Sequence, residues 1–79
     1  MRALAGAPQE LPAPLDALRR SLRGRILRVE ALERAGGKAP EDVAAARARI
    51  ESMWTRALDS DASLSAADRA HWRARLMSP

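Results

Sequence analysis

Few side chains in this chain have the type and spacing that catalysis requires. His71 is the single histidine, and Asp68 precedes it by three residues, so that the two could share one face of a helix. The chain contains no cysteine, and no motif marks a serine as a nucleophile. The spacing therefore predicts a surface Asp68–His71 pair rather than half of a catalytic site. We predict that the protein is not an enzyme.

Metal and phosphate chemistry have equally little support in the sequence. Gly36-Gly37-Lys38 resembles a phosphate-binding loop only superficially, because the G-x-x-x-x-G-K spacing and the strand before it are missing. No pair of residues has the spacing of zinc ligands. We expect no cofactor and no specific metal ion.

Arginine is the most abundant charged residue. Of the 14 basic residues all but Lys38 are arginine, and the formal net charge is +4. High-GC coding and a selected basic surface both explain this usage. Six arginines are spread around the first predicted helix, which favours a solvated face, although binding to nucleic-acid phosphates stays possible. They are Arg19, Arg20, Arg23, Arg25, Arg28 and Arg34.

The hydrophobic pattern predicts an all-α fold built on an antiparallel helical hairpin. The first helix spans about residues 14–35, with a heptad seam at Leu15, Leu18, Leu22, Val29 and Leu32. Arg25 falls on this seam and Ile26 stands beside it. The second helix spans about residues 40–58, with a stripe at Val43, Ala46, Ile50, Met53 and Ala57. A connection of about four residues makes the two helices antiparallel neighbours.

Residues that favour helix starts and helix caps set the ends of the predicted helices. Gly36 suits a left-handed helix cap, and Pro40-Glu41-Asp42 is a strong helix start. Ser65-Ala66-Ala67-Asp68 resembles a capping box and opens a short third C-terminal helix at about residues 65–77. The single small helical domain therefore covers residues 14–79. Residues 1–14 carry three of the five prolines and no periodic stripe, which predicts a flexible N-terminal arm over residues 1–13.

The length of the chain bears on its compartment and its stability. No apolar run approaches the roughly 20 residues that span a bilayer, and the apolar start is too short for a signal peptide. We expect a cytoplasmic bacterial protein. A chain of 79 residues buries a small core, so that a protein partner or a homodimer would add stability.

Three large apolar residues fall off the predicted seam and are the candidate partner-binding residues. Leu27 is on the outward side of the first helix, while Trp54 and Leu58 lie beside the seam of the second. Trp54 could instead close the small core, and it could pack with Trp72. We expect Trp54→Ala to weaken a complex while leaving the helical content unchanged.

The hairpin resembles the small needle-subunit chaperones of type III secretion systems. The matching residues lie within residues 16–58 and are Ala17-Leu18-Arg19 with Leu22 and Ile26, then Arg34-Ala35-Gly36, Pro40-Glu41 and Ile50-Glu51. The proline-bearing arm and the third helix depart from the shorter members of that family.

This resemblance implies a non-enzymatic chaperone or co-chaperone. It would join a tetratricopeptide-like co-chaperone and help to keep the needle subunit from self-assembling in the cytoplasm. Two other functions stay open from the sequence. One is a small basic nucleic-acid-associated or regulatory protein, and the other is a homodimeric structural helical bundle.

Overall fold

The computed structural model describes residues 9–78, and within this range the protein contains three helices, short turns and connections, and no strand. Helix α1 spans Ala13–Arg34, helix α2 spans Pro40–Asp59 and helix α3 spans Ala66–Arg73. The first two helices form a hairpin, and the third packs against α2. The predicted fold class, a helical hairpin with a short third C-terminal helix, is confirmed.

Helix α1 begins and ends on backbone signals that the sequence carries. Pro14 occupies its first turn, where the missing N–H costs no hydrogen bond, and Asp16 complements the positive end of the helix. At the other end Gly36 has a φ of 80°. The N–H groups of Gly36 and Gly37 donate to the carbonyls of Glu33 and Leu32, at 3.0 and 2.8 Å. This pair of bonds is a Schellman cap, and the left-handed role predicted for Gly36 is confirmed.

Helix α3 is shorter than the predicted element at residues 65–77. Ser65 is its N-cap, and the Ser65 hydroxyl accepts the Asp68 N–H at 3.1 Å, as the capping pattern predicted. The helix ends at Arg73, and a turn then directs Leu76 into the core. The Arg19 side chain donates to the carbonyls of Arg75 and Ser78, which gives these groups beyond the end of α3 a hydrogen-bond partner.

The core lies at the end of the hairpin that α3 covers. It contains two residues from the C-terminal segment, Leu64 and Leu76, which the hairpin pattern alone did not place there. The other members come from both long helices: Leu15, Leu22, Ile26, Ile50, Trp54 and Leu58.

The predicted seam is correct for only part of its length. Val43, Ala46 and Ile50 are buried, but Leu32 and Met53 are 45% and 38% exposed. An ideal helix repeats every 3.6 residues, so that a seam assigned at 3.5 residues drifts toward solvent with each turn. Because of this drift, Leu32 and Met53 lie outside the core, and apolar residues off the predicted seam lie inside it.

Part of the predicted arm contacts the domain where the structure describes it. Helix α1 begins at Ala13, and residues 9–12 contact the domain. The Gln9 N–H donates to Asp68 Oδ1 at 3.1 Å, and Trp72 Nε1 donates to the Gln9 carbonyl at 2.8 Å. Leu11 packs against the core. The rest of the predicted flexible arm, residues 1–8, lies outside the described residues.

Candidate functional site

Two of the three predicted partner-binding residues belong to the core. Trp54 is 1% exposed and Leu58 is fully buried, so that the prediction of a surface formed by them is wrong. The physical reason is α3, which packs against the end of α2 that carries both residues. The indole nitrogen of Trp54 donates to the Trp72 carbonyl at 2.9 Å, which joins the two elements directly. Trp54 therefore closes the small core, which is one of the alternatives that the sequence left open, and it is joined to Trp72 through the backbone carbonyl of that residue.

Leu27 is the candidate that remains at the surface, with an exposed fraction of 50%. It is five residues from Leu32, so that the two leucines lie about 140° apart around α1 at roughly 100° per residue. Leu27 shares its side of the helix with Arg20 and Arg23. Its predicted contact with a partner stays a prediction.

An open groove between α1 and α2 is a feature that the sequence did not indicate. It has a volume of about 350 Å³ and lies toward the turn that joins the two helices. Its floor is apolar, and the two most exposed side chains of that floor are Leu32 and Met53. The floor residues are Val29, Leu32, Ala46, Ile50 and Met53.

Three exposed arginines flank this floor, and we refer to the whole as the arginine-flanked groove. They are Arg25 and Arg28 from α1 and Arg49 from α2. Within residues 9–78 none of the three takes part in an ion pair, and no acidic side chain lines the groove. The groove therefore combines apolar surface with uncompensated positive charge.

Two other arginines of the hairpin are in ion pairs, unlike those of the groove. Arg47 lies between Glu30, at 3.3 Å, and Glu51, at 4.0 Å. Arg20 pairs with Asp16 one helical turn away, at 2.9 Å. These are surface pairs of small energetic value, but they neutralise the local field. Arg23 and Arg34 of α1 also have no ion pair within residues 9–78, but neither lines the groove, so the groove differs from their surroundings in its apolar floor.

Comparison with protein-family models, with curated proteins and with solved structures gave no match. The resemblance to needle-subunit chaperones consequently stays a prediction that rests on the residues quoted for it.

Two further depressions adjoin the C-terminal segment, and neither has the character of the groove. One is lined by Glu10, Leu11, Ala13, Asp16 and Trp72. The other involves Glu51 and Arg73 together with residues around Trp54 and Leu76. Both combine charged groups with surfaces that hold the arm or α3 in place, and Asp16 and Arg73 are already in ion pairs. We assign these depressions to packing.

Asp68 and His71 form neither a hydrogen bond nor an ion pair with each other among the described residues. The Asp68 carboxylate accepts the Gln9 N–H instead, and this hydrogen bond, assisted by Ser65, lowers the pKa of Asp68 below its ordinary value. His71 Nε2 accepts a hydrogen bond from Arg75 Nε at 3.1 Å, and its ring meets Trp72 edge-on. Asp68 therefore ties α3 to the arm, whereas the contacts of His71 stay within α3 and the turn that follows it.

The structure describes no arrangement suited to a metal ion. In residues 9–78 no group of three or more histidine, aspartate or glutamate side chains converges. No helix in the same range has the length and apolar character needed to cross a bilayer.

The arginine-flanked groove could have been found from one irregularity in the sequence. Arg25 occupies a position that a heptad seam assigns to an apolar residue, and Ile26 replaces it in the core. This displacement shows that the seam rotates toward Ile26 and leaves the side of Arg25 and Leu32 open. The sequence pattern carried that signal, but a seam with a strict heptad spacing concealed it.

Proposed function

We propose that this chain is a non-enzymatic protein that binds a helical partner protein and acts as a small chaperone or co-chaperone. The observation that carries the proposal is the apolar floor of the arginine-flanked groove. Leu32 and Met53 remain exposed there, although ten other apolar side chains are buried within residues 9–78. An amphipathic helix laid along such a groove would cover them, as in other helix-in-groove complexes.

The resemblance to needle-subunit chaperones supports a more specific role. In that role the chain would join a tetratricopeptide-like co-chaperone in the cytoplasm and would help to keep a type III secretion needle subunit from self-assembling. The confirmed helical hairpin has the architecture that such a role requires. A self-assembling subunit exposes an amphipathic helix, and covering that helix requires apolar surface of the kind found at Leu32 and Met53.

Nucleic-acid binding is the second candidate, and the uncompensated arginines favour it. Arg25, Arg28 and Arg49 could contact phosphates without any base-reading element. That function leaves the apolar floor unexplained, because phosphate contacts do not require exposed leucine and methionine. We therefore rank it below a protein partner.

Affinity capture from the native host tests the proposal. We expect the wild-type chain to retain one discrete protein at physiological salt and after nuclease treatment. The purified partner should then bind the chain at a fixed stoichiometry, and its self-assembly should slow when the chain is present. Leu32→Asp and Leu27→Asp probe the two exposed apolar sites. Ala48→Asp is the matched control, since Ala48 is exposed on α2 and lies outside the groove.

Two outcomes would contradict the proposal. In one, the chain binds only nuclease-sensitive material and its affinity falls steeply with salt, which would establish the nucleic-acid function. In the other, the chain forms a stable homodimer that no partner dissociates, which would establish a structural bundle. Circular dichroism of each variant would show whether lost binding reflects lost folding.

A further inference from the structure

We infer that the arginine-flanked groove receives an acidic amphipathic helix, whose apolar stripe covers the floor and whose carboxylates face Arg25, Arg28 and Arg49. The inference rests on the proposed function and specifies the chemistry of the partner. Its basis is the coincidence, in one groove, of an apolar floor with three arginines that have no carboxylate among the described residues.

The dimensions of the groove suit side chains of a helix lying along it. From Arg25 to Leu32 the α1 wall rises about 10 Å at 1.5 Å per residue, which is two helical turns. A volume of about 350 Å³ is too small to enclose a helix, but it can take a few aliphatic side chains from one. Partner residues at i, i+3, i+4 and i+7 form a stripe of matching length.

The charges of the groove specify what flanks that stripe. Arg25 and Arg28 lie on one wall and Arg49 on the other, so that a helix between them meets positive charge on both sides. Aspartate or glutamate on either side of the stripe would be within reach of a guanidinium group, whereas lysine or arginine there would be repelled. The arginines are exposed, so that their contribution falls mainly on the rate of association and on partner selection.

The same charges argue against the other occupants of the groove. A second copy that docked through its own groove about a twofold axis would bring six arginines together with no acidic group to offset them. Residues 1–8 of this chain include Arg2 and no carboxylate. Nucleic acid would satisfy the arginines but would leave Leu32 and Met53 without an apolar partner.

A selection from a displayed library of helical peptides tests the inference even while the natural partner is unidentified. The library keeps leucine, isoleucine or methionine at i, i+3, i+4 and i+7 and varies the flanking positions among acidic, basic and neutral polar residues. Peptides are selected on the full chain, and those that also bind the Leu32→Asp/Met53→Asp variant are discarded. We expect aspartate and glutamate to be enriched at the flanking positions.

Kinetics on a selected peptide then separate the roles of charge and apolar contact. Arg25→Gln/Arg49→Gln should slow association about tenfold at low salt and leave dissociation nearly unchanged. Arg20→Gln/Arg34→Gln removes the same charge from the opposite side of α1 and should change association less than twofold. Leu32→Asp should speed dissociation by more than tenfold, whereas Leu27→Asp should not.

Each remaining outcome overturns the inference in a distinguishable way. No groove-dependent peptide would mean that the groove is not a docking site, and enrichment of basic or neutral flanks would mean that the partner is not acidic. If a native partner is captured but is lost in Leu27→Asp and kept in Leu32→Asp, the proposed function stands and the groove is the wrong surface. If no peptide were selected and single-stranded nucleic acid bound the chain instead, the arginines would be assigned to phosphate contacts.

Discussion

Trp54 has two structural roles in this protein. It is the largest fully buried residue, and its indole nitrogen donates to the Trp72 carbonyl, so that it fills the core and fastens α3 to α2. Tryptophan is suited to this position because it combines a large apolar surface with one hydrogen-bond donor. A residue with both roles cannot also serve as a partner anchor without opening the core.

The first prediction concerns the stability of the free protein when this residue is truncated. Trp54→Ala should lower the free energy of unfolding by about 3–5 kcal/mol, because it leaves a cavity and removes the donor to Trp72. Trp54→Phe should cost less, since it retains most of the ring. Urea denaturation followed by far-ultraviolet circular dichroism measures both variants.

Leu27→Ala is the matched control for Trp54→Ala, because Leu27 is a large apolar residue at the surface of α1. Its free energy of unfolding should remain within about 0.5 kcal/mol of the wild-type value. Equal urea midpoints for Trp54→Ala and the wild type would show that the indole is not part of the core.

At the scale of the helices, two glycines occupy very different backbone environments. Gly24 lies within α1, and a Cβ added there would meet nothing within 4 Å. The close helix crossing that could have explained a glycine at this position is therefore absent. Gly36 also has open space, but its φ of 80° belongs to the left-handed region that L side chains rarely adopt.

The second prediction is that alanine has opposite effects at these two positions. Gly24→Ala should raise the free energy of unfolding by up to about 1 kcal/mol, through helix propensity and a less flexible unfolded chain. Gly36→Ala should lower it by about 1 kcal/mol, because the Schellman cap would be strained. Thermal and urea melts of the pair test the assignment, and a destabilising Gly24→Ala would reveal a constraint on α1 that the structure does not show.

The arm and α3 are coupled through a carboxylate, which makes their contact sensitive to acid. The Gln9 N–H is the main cause that lowers the pKa of Asp68 below its ordinary value of 3.8. A lowered pKa in the folded protein means that the contact contributes its full stability above pH 3.8. The contribution is lost as the pH falls further, through the lowered pKa that Asp68 has in the folded protein.

The third prediction is that the Gln9 amide reports this titration. Its chemical shift, followed by NMR from about pH 6 to about pH 2, should move with a midpoint below the ordinary aspartate value. Asp68→Asn should abolish the movement while the Ser65 cap remains. Asp61, whose pKa is lowered by hydrogen bonds from Ser63, titrates in the same direction and serves as a reference away from the arm. If the Gln9 amide shift titrated in Asp68→Asn as it does in the wild type, the arm would not be coupled to this carboxylate.

Local signals in the sequence were sufficient to predict the helices, but they were insufficient to predict which side chains lie at the surface. Gly36, Pro40 and Ser65 act on backbone groups within a few residues, so that their effects could be predicted without a tertiary structure. The end of α3 could not, because Leu76 leaves the helix to reach a core formed mainly by distant residues. The four-residue spacing of Ile50, Trp54 and Leu58 was itself a core signal, but a heptad seam places Trp54 and Leu58 outside.

At the scale of the whole molecule, the core unites three segments, and the hairpin alone does not complete it. The two long helices supply most of the core, but Leu64 and Leu76 close it over Trp54 and Leu58. Far from α3, the same hairpin has only two layers, and Leu32 and Met53 remain exposed there. The difference between a covered end and an open end is what separates the core from the candidate docking groove.

The final prediction is that a chain ending at Asp61 no longer folds cooperatively as a monomer. Burial of Leu64 and Leu76 is worth about 1.5–3 kcal/mol each in transfer terms. A domain of this size has a total stability of only about 4–12 kcal/mol. Truncation also exposes Trp54 and Leu58, so that the loss of stability approaches the total stability of the domain. The truncated chain should therefore show a broad melt or associate with itself to cover these residues.

Tryptophan fluorescence provides the readout for this truncation, because Trp54 is then the single tryptophan. Full-length Trp72→Phe is the matched reference: it also retains only Trp54, and it keeps the backbone carbonyl that accepts the Trp54 hydrogen bond. We expect the emission maximum to shift to longer wavelength in the truncated chain, since water reaches the indole. A truncated monomer with the emission and the cooperative melt of the reference would mean that the hairpin completes its own core, and that α3 is an addition to it.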